Sequence, residues 1–473
     1  MITKVFFKLV RDMKSIISPL RLLFTAFIVL ASLDFVDAVN PSVIQQKGNV
    51  NPDMKFEYPV KVSKNQRYFT DAKGRPFFYQ ACTGWELLSE LTREETEVYL
   101  KNRSEKGFNT IQVFLLPWVV DDVNRYGEPP FHDKKKFTDP NDKYFKHVDW
   151  VLYKASEYGI QLNINLFWLG EWKEYTTADN ARFFGNYVAK RFLHHNNIQW
   201  FIGGDINPGE KMEAQKALAE TIRSIDNKHL LSYHGGRYSD GTSTSSSALF
   251  HREIWHDFNM AYCYDPSHSP RLDPYAPVQF IHAYNLKPVK PIILGETFYE
   301  LINYNFKDTI ENLYAIRRNP LWGLTCGITG HAVGHDKIQT FTKGWQKAMD
   351  DPNSLMVKHL AKLTNEIKWW TLVPDQAQEV AINGYGNFGG AHYISMAFDP
   401  KGKLAVAYFP HKGKLTVDLS KFAGPVNGRW FDPVNGNVVP ITSNLPNRGT
   451  YVFSPPGLNG GSSQDFLLIL EVK

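Results

Sequence analysis

From residue 77 to residue 370 short apolar runs alternate with segments whose apolar positions return every three or four residues, as parallel strands joined by helices require. The first run spans residues 77–82, and Thr92-Arg93-Glu94-Glu95 then has the form of a capping box, predicting a helix that ends at Lys106-Gly107. A second run, 108–115, is followed by a long loop, 117–139. Residues 142–158 predict a helix stopped by Gly159, and 160–168 a third strand. Helices at 178–194 and 210–225 lead to strands at 198–203 and 230–234 respectively. Strands six and seven fall at 258–263 and 291–294. A helix at 306–317 precedes an eighth strand at 321–327, and a helix at 343–362 closes the ring.

Eight repeats favour a closed (β/α)8 TIM barrel over a doubly wound open sheet, whose glycine-rich turn Gly-x-Gly-x-x-Gly does not follow the first strand. Beyond residue 372 the helical period stops. Short alternating strands at 404–408, 414–419 and 466–472, separated by Gly, Pro and Asn turns, predict a small antiparallel β-sandwich. The reading is therefore an α/β barrel over 61–372, preceded by a polar linker, 39–60, and followed by a β-sandwich over 373–473. A length of 473 residues suits this, because single cores stop growing near ~250–300 residues.

The first 38 residues predict a cleaved signal peptide: Lys4, Lys8, Arg11, Lys14 and Arg21 precede an apolar run at 22–33, and Val36-Asp37-Ala38 has cleavage-site spacing. The run is short of the ~20 apolar residues of a spanning helix. The expected location is secreted or periplasmic, in a bacterium. Five basic and three acidic side chains lie in that segment, so the formal charge of +5 falls to +3 without it, too weak a surplus to point to nucleic acid. Cys82, Cys263 and Cys326 sit in apolar contexts and are expected as buried thiols.

Two strands end in glycine followed by a carboxylate: Gly203-Gly204-Asp205 and Gly295-Glu296. In this barrel, chemistry sits at the C-terminal ends of strands. Splitting an acetal needs one carboxyl group to protonate the departing oxygen and another to attack or to activate water. Strands four and seven face each other across the mouth, so Glu296 is assigned as nucleophile and Asp205 as general acid/base of a glycoside hydrolase. Plainer roles exist for each: Asp205 as a helix N-cap ahead of Asn207-Pro208, and Glu296 in a structural ion pair. Polar and aromatic residues at the other strand ends are candidate sugar contacts: Trp85, Glu86, Gln112, Trp118, Asn165, Trp168, His234, Tyr262, Tyr264, His331 and His335. His331-x-x-x-His335 with Asp336 has ligand-like types, but glycines at 330 and 334 break a regular helix and there is no His-Glu-x-x-His. No metal and no cofactor is expected, and no Gly-x-Ser-x-Gly nucleophile elbow occurs.

Arg67-Tyr68-Phe69, Gly74-Arg75-Pro76-Phe77, Thr83-Gly84-Trp85-Glu86-Leu87, Gly107-Phe108-Asn109-Thr110-Ile111-Gln112, the Trp200 to Asp205 segment, Gly295-Glu296 with Tyr299-Glu300, and Gly330-His331 with Gly334-His335 together resemble the apiosidase-like glycoside hydrolases of family 140. The tail, with Trp430-Phe431-Asp432-Pro433 and Gly436, is similar to the β-domain labelled collagen-binding that follows such barrels. The resemblance implies a retaining mechanism with Asp205 and Glu296 as the pair. It also implies a pectic substrate, rhamnogalacturonan II side chains attached through apiose. The chain departs from the pattern at 330–336 and 235–238, loops that contact substrate in such barrels. Two other classes were weighed: a catalytically inactive cell-surface carbohydrate-binding protein, which needs neither acid, and a matrix binder, for which no protease motif or collagen-like charge pattern is present.

Overall fold

The computed structural model describes residues 55–133, 137–236, 245–264 and 275–472. The expected signal peptide, and the linker as far as residue 54, lie outside them. Eight parallel strands form the barrel: β1 Tyr79–Thr83, β2 Thr110–Phe114, β3 Gln161–Asn165, β4 Ile198–Asp205, β5 Leu231–Gly236, β6 Asn259–Tyr262, β7 Ile292–Glu296 and β8 Gly330–His335. Their hydrogen-bonded order is β5-β4-β3-β2-β1-β8-β7-β6. The remaining seam, between β5 and β6, is bridged by the Asp257 N–H donating to Leu231 O at 2.9 Å and Ser232 Oγ donating to Phe258 O at 2.6 Å. The barrel is thus nearly closed.

Inside, Ala81, Phe201, Met260, Ile293 and Ala332 pack with Tyr79, whose hydroxyl accepts from Gln112 Nε2 (3.1 Å) and Asn163 Nδ2 (2.9 Å). The lower end is plugged by Phe69 and Phe77 of a small antiparallel sheet, Lys61–Val62, Phe69–Thr70 and Pro76–Phe77. The apolar run expected as one strand at 77–82 therefore divides at Phe78, between this sheet and β1. Helices α1 Arg93–Glu105, α2 Asp142–Glu157, α3 Ala178–Phe192 and α4 Met212–Ile225 cover the outside. The capping box forms: Thr92 Oγ1 accepts from the Glu95 N–H while Glu95 Oε2 accepts from the Thr92 N–H.

Two expected elements differ. Residues 321–327 are not a strand but the end of a helix, α5 Thr309–Thr325, which runs through Pro320. Its second half is buried on all sides, with Leu321, Trp322 and Leu324 wedged between the barrel and the C-terminal domain, so its apolar pattern has no polar face and reads like a core strand. The true eighth strand holds only Ala and Val as apolar residues between glycines and histidines. The last helix is also interrupted: Trp345–Ala348 is a separate turn, and α6 Pro352–Glu366 starts afresh with Pro at its first position, where a missing N–H costs nothing.

The C-terminal domain has the antiparallel strands β9 Val373–Pro374, β10 Ala381–Asn383, β11 Ser395–Phe398, β12 Leu404–Phe409, β13 Leu415–Asp418, β14 Val426–Phe431, β15 Val438–Leu445, β16 Thr450–Phe453 and β17 Phe466–Val472. One sheet has the order β9-β11-β12-β17-β14-β15 and the other β10-β13-β16. Leu468 and Leu470 of β17 fill the space between the sheets, while Leu467 and Ile469 face α5. That double burial explains the unbroken apolar run. Barrel and β-domain pack as one compact unit. Cys82, Cys263 and Cys326 are buried and in no disulfide. No helix among the described residues is long and apolar enough to cross a membrane.

Candidate active site

At the end of β4 the backbone leaves the extended region: Gly203 has φ +100, Gly204 φ +103 and Asp205 φ +56. A Cβ at Gly203 would lie 2.6 Å from the Tyr233 ring and 2.9 Å from His234 O, so only glycine fits there. This turn carries Asp205 into the mouth of the barrel. Tyr233 holds the next segment by donating to Ile206 O at 2.5 Å. The first helical turn after it begins only at Gly209, so Asp205 caps no helix. Asp205 Oδ1 is buried and has no hydrogen-bond partner among the described residues.

Glu296, 6% exposed, ends β7 opposite. Its Oε2 lies 3.1 Å from His234 Nε2, and its Oε1 accepts from the hydroxyls of Tyr262 (3.4 Å) and Tyr264 (3.5 Å). His234, the inward residue of β5, stands between the acids, with Nδ1 3.9 Å from Asp205 Oδ1. That nitrogen accepts the Asp205 backbone N–H at 3.2 Å, so the neutral ring carries its hydrogen on Nε2, the nitrogen nearest Glu296, in a charge contact rather than an aligned hydrogen bond. Burial alone would lower the imidazole's pKa; the hydrogen bond and charge of Glu296, with the charge of Asp205, outweigh it and raise the value above 6.5.

One oxygen from each acid and a ring nitrogen of His234 all lie within 4.8 Å of one another. The spacing is open to a cation, but the ring's lone pair is spent on the Asp205 amide and Nε2 presents a hydrogen, so the imidazole is oriented against ligation. A second such group, Glu300, His335 and Asp351, has the same bias: His335 Nδ1 accepts from the Lys337 N–H at 3.0 Å and Nε2 meets Asp351 Oδ2 at 3.0 Å. Glu300 there accepts the Asn353 N–H at the start of α6 at 3.1 Å.

The acids open into a small pocket of about 70 Å³, lined also by Trp85, Phe114, Trp118, His234, Tyr299, Ile302, Tyr304 and Gln339. Trp85 donates to Tyr299 OH at 2.8 Å and stacks on Phe114 at 4.7 Å between centroids. Trp118 lies 5.8 Å from Phe114 and 4.9 Å from Trp168, continuing the aromatic wall outward. Of the residues singled out from sequence, Trp85, Trp118, Asp205, His234 and Glu296 line the pocket. Tyr262 and Tyr264 stand behind Glu296. Asn165 lies beneath the turn, its Nδ2 3.2 Å from where a Cβ of Gly204 would be.

Four do not reach it. Gln112 belongs to the interior layer below, bonded to Tyr79. Glu86 faces away, into the loop after β2. His331 alternates with the inward Ala332 and so points to the helix layer, 6.1 Å from Phe78, where full burial pushes its pKa down to about 3. His335 caps the turn Asp336–Gln339. Sequence reading missed Phe114, Tyr299, Ile302, Tyr304 and Gln339. The loop residues closely follow Glu296, which was a usable signal; Gln339 was hidden by the misplaced eighth strand.

Residues 63–371 match the family model "Apiosidase-like, catalytic domain", and 373–471 match "Putative collagen-binding domain of a collagenase". Nothing matches among curated protein sequences. Among solved structures, one named a glycoside hydrolase is 28% identical over 88% of this chain and 97% of its own, with a TM-score of 0.76. A glycoside hydrolase family 5 protein from Bacteroides vulgatus is 27% identical over 87% of this chain and 93% of its own, with a TM-score of 0.77. The apiosidase-like model covers more than half of the chain, and the chain belongs to the apiosidase-like family of glycoside hydrolases.

Proposed function

We infer that the protein is an exported, retaining glycosidase acting on a plant-type glycan, with pectic side chains of the rhamnogalacturonan II kind as the first candidates. The observation that carries the mechanism is the closeness of the two carboxylates, whose nearest oxygens lie within 4.8 Å across His234. Between carboxyl groups a retaining pair stands about 5–5.5 Å apart and an inverting pair about 6.5–9.5 Å apart, and nearest oxygens this close suit the shorter spacing of double displacement. In the first step Glu296 attacks the anomeric carbon while Asp205 gives its proton to the glycosidic oxygen, and the bond between them breaks. Asp205, now a carboxylate, then takes a proton from water; that water attacks the same carbon, releasing the sugar and Glu296.

The surroundings suit these roles. Glu296 accepts from two tyrosines and lies 3.1 Å from the imidazole of His234, which favours its ionised form. Asp205 Oδ1 has no hydrogen-bond partner among the described residues. The aromatic wall supplies faces for sugar rings. The substrate class rests on the apiosidase-like family match, and export on the apolar run at 22–33.

The test is incubation with rhamnogalacturonan II fragments and a panel of plant and microbial glycans, with released sugars identified by mass spectrometry and anomeric configuration followed by NMR. Release with retained configuration, lost in both Asp205→Asn and Glu296→Gln, is the expected result. Release with inversion would remove the double displacement. Binding without release from any glycan would favour the inactive carbohydrate-binding reading.

A further inference from the structure

Glu86 is a buried carboxyl group, 5% exposed, and the charged groups acting on it among the described residues are the acids Glu90 and Asp122. Its Oε1 accepts the Trp118 N–H at 2.8 Å and its Oε2 accepts from Ser89 Oγ. Its own N–H donates to Gln339 O at 3.1 Å, and the preceding carbonyl, Trp85 O, accepts the Phe114 N–H at 2.8 Å. Residues 85 and 86 therefore tie together Phe114, Trp118 and Gln339, pocket-lining groups brought by two different loops and a strand end. We propose that Glu86 is a positioning residue whose side-chain oxygen sets Trp118 against the glycan, fixing the outer wall of the pocket from behind.

The arrangement is costly unless it serves the site. Burial, helped by the negative charges of Glu90 and Asp122, pushes the Glu86 carboxyl up to about 8. What the Oε1 acceptor supplies is a grip on the first free amide of the long loop after β2, whose preceding carbonyl, Pro117 O, is already taken by Trp172 Nε1 at 3.0 Å. With both sides of the 117–118 peptide held, the Trp118 ring has a defined place beside Phe114 and Trp168. Trp118 lines the pocket without being one of the two acids, so its placement is expected to govern binding more than turnover.

The inference rests on reading the pocket as a glycan site, and its test keeps the two apart. The full chain is labelled with 5-fluorotryptophan, the Trp118 fluorine signal is assigned through Trp118→Phe, and Glu86→Ala and Glu86→Gln are compared. In Glu86→Ala the Trp118 signal is expected to shift or broaden, and Glu86→Gln, which keeps the Oε1 acceptor, to restore it. With a glycan that the wild type hydrolyses, Glu86→Ala is expected to raise KM about tenfold with kcat within threefold, and Glu86→Gln to recover KM. Glu86→Asp keeps the carboxyl group but withdraws its oxygens by one methylene, and it should reproduce the Ala result if Ala does not fold. An unchanged Trp118 signal in Ala or Asp, or a loss confined to kcat, overturns the proposal. If the wild type hydrolyses nothing, the glycan reading fails, while the fluorine spectra still decide the role of Glu86.

Discussion

Replacing His234 by Leu removes the one ring nitrogen that faces Glu296 and leaves the space filled. The imidazole is 1% exposed, packed edge-on against Trp85 at 5.3 Å and Phe201 at 5.7 Å, so a side chain of similar volume keeps water out. What goes is a 3.1 Å contact to a carboxylate, leaving tyrosine hydroxyls at 3.4 and 3.5 Å. If this contact acts on Glu296 as strongly as a hydrogen bond to a charged group, ~1.5–3 kcal/mol goes with it. At ~1.36 kcal/mol per factor of ten, kcat should fall roughly 10- to 150-fold. Because the lost donor favoured the ionised nucleophile, the acid limb of kcat against pH should move up by about one to two units. His234→Ala, which admits water as a substitute donor, should lose less than His234→Leu.

The assay is kcat and KM from pH 4 to 9 on the glycan that the wild type cleaves, with thermal unfolding to show that Leu is folded. An unmoved acid limb with kcat within threefold of wild type would refute the reasoning, since Nε2 would then support no charge. The same substitution has a stability signature. The folded pKa of His234 lies above its ordinary 6.5, so the stability it contributes is fully present below that value and is lost as pH rises through the raised one. The wild type should therefore lose more of its urea midpoint between pH 5.5 and 9 than His234→Leu does.

Elsewhere, Asp465→Asn should strand a buried guanidinium. Arg317 of α5 donates to Asp465 through Nε at 2.8 Å and Nη2 at 2.7 Å, with side chains 4% and 0% exposed, and breaking such a pair costs ~3–5 kcal/mol. Urea unfolding should show this; a loss under about 1 kcal/mol would mean the pair is solvated. Gly203→Ala should lower the melting temperature and abolish turnover, because its φ of +100 adds ~1–3 kcal/mol of strain to a 2.6 Å overlap with Tyr233. Wild-type activity in that variant would show that the turn before Asp205 adapts freely.

What sequence could reveal depended on whether an element was buried on one side or two. The strands β2 to β7 stood out as apolar runs bounded by glycine or polar turns, and α2 Asp142–Glu157 as a periodic stripe, because each meets the core in the usual way for its layer. The second half of α5 did not, since the β-domain buries the face that would have been polar. Misreading it displaced β8 and hid Gln339. It also put His331 at the barrel mouth, although alternation along Gly330–His335 sends it outward. Residues 302 and 304 were invisible for another reason: loop side chains carry no period.

The two acids were legible because glycine precedes each, yet the structure uses those glycines differently. Before Asp205 they permit left-handed backbone, which swings a short side chain into the mouth. Before Glu296 the glycine makes room, since a Cβ at Gly295 would fall 2.4 Å from Met260 Cγ. Asp205 is therefore placed by its main chain, and Glu296 by the side chains that hold its oxygens. His234 joins the two schemes, receiving the Asp205 amide on one nitrogen and offering the other to Glu296. A displacement of the turn would rotate the ring and weaken its hold on Glu296. The positions of the two carboxylates are then not independent, and the spacing that favours double displacement is a property of the three residues together.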